Sequence, residues 1–207
     1  MTTNCKYVVI APSHMLQYRL ETQSACSLFD NALIHAREGL ANWSASIPTW
    51  MTRAYELNLP IFWLVSDWSF NNKDIFDLQK LGPTELFLPG ERGHGGNIVR
   101  ELRTKRNTSF LVNHTLDIID IIIQTFPHVR LIFWCLYART KIKNSNMYDV
   151  CGYDMMRQRY PHHCVDIDWY LKREKTTFDR CIIDDGGHPN YNGYSILNKI
   201  FACEQKK

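Results

Sequence analysis

The sequence predicts an α/β protein: a three-layer α/β/α sandwich around a mostly parallel sheet of about five strands. Three observations predict it. Short apolar runs recur at residues 7–11, 59–65 and 129–136, and runs of this length read as strands buried on both faces. Stretches with apolar residues at helical spacing separate them. The side chains best suited to chemistry fall just after strands or in the last loop, which in a parallel sheet is a single edge.

Composition narrows the class. The chain has 207 residues, so residues 1–207 are read as one domain with room for a substantial core. Its 45% hydrophobic and 22% charged content excludes a disordered chain. A net charge of +3 does not argue for nucleic acid, and no such partner is expected. The seven cysteines are scattered without a Cys-x-x-Cys pair, so neither a zinc site nor a disulfide framework is expected. Cys135, inside an apolar run, reads as a small core residue. The first residues carry no charged region followed by a long apolar stretch, and no run reaches transmembrane length. A reducing cytoplasm is the expected location.

The elements follow in order. Tyr7-Val8-Val9-Ile10-Ala11 is a buried strand that stops at Pro12-Ser13-His14. Ser13 at that strand's end faces the crevice where α/β proteins bind ligands; it is equally an N-cap serine. Residues 15–40 read as a helix, with Leu16, Leu20, Leu28, Leu33 and Ile34 on one side and Gly39 as its stop. Asn42 to Trp50 form a loop into a helix, with Pro48 near the first turn. Residues 59–65 are the next strand, followed by a polar loop through Asn71 and Asn72.

Residues 73–108 fit the alternation poorly and read as an insertion or lid. Within it, His94 and Asn97 lie in a glycine-rich loop and are candidate substrate-binding residues; a plain surface loop is the alternative. Arg100, Arg103, Lys105 and Arg106, with Arg139, Lys141 and Lys143, form either a basic rim for an anionic group or a solvated face. Leu111, Leu116, Ile119, Ile122 and Ile123 mark a core-facing helix ending before Pro127. Residues 129–136 are a strand, residues 146–159 a helix, and residues 164–169, alternating polar and apolar, an edge strand. His162-His163-Cys164 lacks a second ligand cluster, so no metal is expected.

Near the C-terminus the chain reads Asp184-Asp185-Gly186-Gly187-His188-Pro189-Asn190-Tyr191-Asn192-Gly193-Tyr194. The glycines break any preceding element, and His188 before proline is held out of the α region. Tyr194, Leu197, Ile200 and Phe201 then recur at helical spacing. The loop therefore presents Asp185 and His188 ahead of an anchored helix, an arrangement suited to a base that must be held still.

The string Asp-x-x-His-Pro-Asn-x-x-Gly-Tyr resembles the last block of the SGNH (GDSL-type) hydrolase superfamily. In that family Asp and His complete a triad with a serine near the N-terminus. Ala11-Pro12-Ser13-His14 is similar to the first block, Gly-Asp-Ser, with the following His found in the branch acting on sugar acyl groups. Asn42 to Trp50 resemble the second block, with Ile47 where a glycine amide serves the oxyanion, and Ser69-Phe70-Asn71-Asn72 align with the third, leaving Asn71 as side-chain donor.

The resemblance implies acyl-ester chemistry on a carbohydrate or other small-molecule ester, with Ser13 as nucleophile, His188 as base and Asp185 as its orienting group. It implies Ile47 and Asn71 as oxyanion donors and His14 beside the substrate. Hydrolysis and O-acetyl transfer both use that set, and neither requires a cofactor. Pro12 and Ile47, which depart from the family pattern, motivate a second reading as a non-catalytic binding module. The basic residues motivate a third, a transferase in which His188 is a direct base and acetyl-CoA the acyl donor.

Overall fold

Strand β1 (Tyr7–Ala11) is buried at every residue and is paired on both edges. The computed structural model describes residues 5–16, 28–29, 31–37, 40, 42, 44–66, 108–141, 152–183 and 187–206. Around β1 lie β2 (Ala32–Ala36), β3 (Ile61–Leu64) and β4 (Val129–Ile132), all parallel, in the order β2-β1-β3-β4. The helices are α1 (Ser46–Glu56), α2 (Thr108–Thr125), α3 (Trp134–Lys141), α4 (Tyr153–Arg159), α5 (Ile167–Arg173) and α6 (Tyr191–Glu204). The fold is the predicted parallel α/β class, with four strands among the described residues where about five were expected.

Register partners in a parallel sheet share a face, and this assigns the layers. Val9 pairs with Phe62, and Phe62 meets Phe201 of α6 at 4.8 Å between ring centroids. Tyr7 lies on the same face, 5.4 Å from Phe201. Ile10 pairs with His35 on the other face, where His35 stacks on Trp50 of α1 at 4.9 Å. Helices α6 and α1 thus cover opposite sides of the sheet. One polar side chain enters this stack: Arg130, partner of Phe62 in register, reaches the buried carboxylate of Glu204 in α6. Glu204 also accepts from the Tyr170 hydroxyl of α5 at 2.8 Å. That pairing satisfies a charge which would otherwise be costly to bury.

Three element expectations change. Residues 15–40 were expected to be one helix, yet Ala32–Ala36 is the strand β2. In a helix Leu33 and Ile34 would share a side; in β2 they point to opposite faces, and the strand satisfies the main-chain groups along one edge of β1. The expected strand at 129–136 ends at Ile132, and α3 begins at Trp134. Phe133 to Ala138 are all buried, and a helix buried on all sides shows the same unbroken apolar run as a buried strand. The expected edge strand at 164–169 reduces to one bridge, Leu131 to Cys164. Asp166 then accepts from the Trp169 amide and starts α5 as its N-cap. Helix α4 lies within the helix expected at 146–159, and the insertion expected at 73–108 lies outside the described residues except for Thr108, the first residue of α2.

The strand order places the candidate site. From β1 the chain passes to β2 on one side and to β3 on the other, so the order reverses beside β1. At such a switch point the connections diverge and leave a crevice beyond the strands' C-terminal ends. Ser13 lies two residues past the end of β1.

Two measurements test this packing. A Cβ at Gly193 would stand 2.1 Å from the Cys181 carbonyl oxygen, so Gly193→Ala is expected to lower stability by at least about 1–3 kcal/mol, read as a lower urea midpoint. Burial pushes the Cys164 thiol up to about 12 and raises the phenols of Tyr153, Tyr137, Tyr160 and Tyr170 above their ordinary value. Unfolding exposes these acids, which then lose protons at lower pH than in the folded state, so the unfolded state binds fewer protons. Stability should therefore be unaffected by these groups below pH 9 and fall as pH rises above it. Urea midpoints at pH 7, 9 and 10.5 check the sign.

Candidate active site

The end of β1 shapes the turn that carries Ser13. Pro12, at φ −68° and ψ −163°, leads into a 3-10 turn at Ser13–Met15. That φ is the one a proline ring already holds, so the departure from the family's Asp costs no backbone strain. Met15 is fully buried and anchors the turn, and its amide donates to the Pro12 carbonyl at 3.3 Å. Ser13 and His14 remain half-buried, between core and solvent.

The last loop is held from several directions. The Ile183 amide donates to the His188 carbonyl at 2.9 Å. Pro189 and Ile182 form an antiparallel bridge. The Trp134 indole N–H donates to the Gly187 carbonyl at 3.0 Å. Asn190 caps α6, its Oδ1 accepting from the Gly193 amide at 3.1 Å, while its Nδ2 donates to the Arg180 and Ile182 carbonyls at 3.0 Å each. The Tyr194 hydroxyl donates to the His14 carbonyl at 3.0 Å, joining α6 to the Ser13 turn. Each residue of the string His-Pro-Asn-x-x-Gly-Tyr that resembled a family block thus has a structural task.

These restraints bring Ser13 Oγ to 2.9 Å from His188 Nε2, across 175 residues of sequence. That is hydrogen-bond reach for a nucleophile and its base. The His14 ring stacks on His188, with centroids 4.3 Å apart and planes 10° apart. Its Nδ1 lies 3.3 Å from Cys135 Sγ. Cys135, expected to be a plain core residue, therefore touches the site as well. Its position inside an apolar run concealed that contact.

The other expected residues divide. Asp185, Asn71, His94 and Asn97 lie outside the described residues. Ile47 is described, and its amide donates to the Ser44 carbonyl at 3.0 Å. As an oxyanion donor it would first have to give up that bond. Its side chain is fully buried in the core. Two neighbouring features went unread in the sequence. Buried Asn42 clasps the backbone of Ser66, accepting from its amide at 2.9 Å and donating to its carbonyl at 3.0 Å. This ties the loop after β2 to the end of β3. His35 Nε2 lies 3.3 Å from Ser46 Oγ, which lies 2.9 Å from Ser44 Oγ. The Asn that opens the second block was the available signal for the first; nothing in the spacing signalled the second. Among the described residues no group of three His, Cys, Asp or Glu side chains is placed to hold a metal, and no helix is long and apolar enough to cross a membrane.

Comparison with known proteins places the fold. No family model and no curated protein matches the sequence. Among solved structures the chain is similar to an α/β hydrolase enzyme from the metagenome of Lake Arreo, Spain, at 14% identity and a TM-score of 0.50, over 100% of this chain and 97% of that one. It also aligns with a GDSL-like lipase from Bacteroides thetaiotaomicron at 10% identity and a TM-score of 0.45, over 100% of this chain and 90% of that one. At these identities the likeness concerns fold alone. The chain thus shares the overall α/β fold of the Lake Arreo hydrolase.

Trp134→Phe tests how the loop is held. It keeps a ring against Phe178, 4.9 Å away, and removes the donor to Gly187. A loss of about 1–2 kcal/mol in urea unfolding is expected.

Proposed function

We propose that this chain is a serine-dependent acyl-ester enzyme, an esterase or O-acetyltransferase acting on a carbohydrate. The observation that carries the reading is the 2.9 Å contact of Ser13 Oγ with His188 Nε2 at the switch point of a parallel sheet. A serine hydroxyl alone is a poor nucleophile, and an imidazole at that distance can take its proton as attack begins.

The steps follow from those two groups. Ser13 Oγ bonds to the ester carbonyl carbon while its proton passes to His188 Nε2. The carbonyl π electrons move to oxygen, where amide donors oppose the charge. The Ser13 amide opens a 3-10 turn, where no intrahelical acceptor serves it, and so is a suitable donor. The intermediate then expels the alcohol, which takes the proton from His188. Water, or a sugar hydroxyl, attacks the acyl-serine with the same base and regenerates Ser13. Asp185 is assigned to His188 Nδ1, where it would fix the tautomer and oppose the imidazolium charge. Asn71 is assigned to the oxyanion. The carbohydrate substrate rests on the Ser13-His14 pairing of the first block. A cytoplasmic location belongs to the same proposal; acetyl-CoA as acyl donor belongs to the separate reading in which His188 is a direct base.

The engagement of the Ile47 amide favours the second reading, a binding module on this fold, because it removes one expected donor. Activity separates the two. The wild-type chain should hydrolyse an aryl acetate and be labelled by a fluorophosphonate. Ser13→Ala should abolish labelling and lower turnover by at least about a thousandfold, and Asp185→Asn should lower it by about a hundredfold or more. Unchanged turnover in Ser13→Ala would remove Ser13 from the mechanism, and a wild type with neither property is a binding module.

A further inference from the structure

We propose that His14 is a positioning residue for His188: a neutral imidazole, held in one tautomer by Cys135, whose ring face keeps His188 Nε2 on Ser13 Oγ. The proposal rests on the acyl-transfer reading above and deepens it. The resemblance placed His14 beside the substrate; the geometry turns it toward the base.

The stack supplies the restraint. The terminal torsion of histidine is broad, so a lone imidazole on a loop can swing its Nε2 away from a partner. Here one face of His188 lies on His14, 4.3 Å between centroids and nearly parallel. His14 is held in turn. Its carbonyl accepts from Tyr194, its Nδ1 meets Cys135, and a Cβ on Gly187 would stand 3.7 Å from its Nε2. Helix α3 and the last loop therefore meet the ring, and helix α6 holds the backbone of the same residue.

Chemistry requires that ring to be neutral. When His188 takes the Ser13 proton it becomes an imidazolium. A neutral aromatic face beneath it tolerates that charge, whereas a second imidazolium at 4.3 Å would oppose it. Cys135 is 2% exposed. An imidazole nitrogen is a better acceptor than a thiol sulfur, so the thiol S–H donates to Nδ1 and the ring proton resides on Nε2. Protonating His14 would cost it that bond. The titratable and polar groups around His14 include the His188 imidazole, the Cys135 thiol, the Ser13 hydroxyl and the Tyr194 hydroxyl.

The full chain, labelled with nitrogen-15, gives the first readout by NMR at pH 7. His14 is expected with Nδ1 unprotonated and Nε2 protonated; a proton on Nδ1 at pH 7 would overturn the proposal. The second readout is aryl acetate kinetics. His14→Phe keeps a flat ring and should retain kcat within about threefold, while His14→Ala should lose more than about tenfold in kcat with KM within about twofold. Equal loss in both variants, or none in His14→Ala, would overturn it. If the wild type does not hydrolyse aryl esters, the functional reading fails on its own. The His188 ring-current shift then decides this proposal: present in wild type and His14→Phe and absent in His14→Ala supports it, and a shift indifferent to His14 overturns it.

Discussion

The hydrogen bond from the Tyr194 hydroxyl to the His14 carbonyl joins the first helix turn of α6 to the residue beside the nucleophile. Much of the site depends on that junction. Ser13 belongs to the first strand's exit and His188 to the chain's last loop, so their contact requires the C-terminal helix to be docked in one place. The docking is built from aromatic packing, with Phe201 against Tyr7, Phe62 and Phe29. Burial of rings this size is among the larger apolar contributions a single residue can make. The Ser13–His188 bond is thus a consequence of the fold. One hydrogen bond, with a net value of about 1 kcal/mol, is too weak to have organised it.

The parallel sheet supplies the other half of the geometry. Because β1 is paired on both sides with strands running its own way, every strand exit opens at one edge. Asn42 then fastens the exits of β2 and β3 to each other through the Ser66 backbone. Trp134, just past the exit of β4, holds the Gly187 carbonyl. Contacts from several strand exits therefore converge on a short arc of the molecule. Groups held by packed strands and helices are better kept within catalytic tolerance than groups carried on free loops.

The legibility of the chain follows the range of the forces involved. Tyr7–Ala11 was readable as a strand because five consecutive apolar residues bounded by Pro12 have few other uses. The helix after Asn190 was readable because helical spacing is local. Residues 32–36 were misread because their pairing with β1 is a long-range event that overrides local periodicity. Residues 133–136 were misread because burial on all sides erases the period that separates helix from strand. The role of Cys135 could not be read at all, since its partner His14 is 121 residues away.

The sequence by itself determined the parallel α/β class, the candidacy of Ser13 and His188, and the loop and helix that present the imidazole, because each depends on local chain chemistry or on apolar patterning. Only the tertiary structure decided that the two side chains meet, that His14 lies flat on the base, and that the Ile47 amide is spent on Ser44. Those outcomes depend on how distant segments pack in three dimensions, and the spacing of residues along one chain carries no record of the angles at which its segments come together.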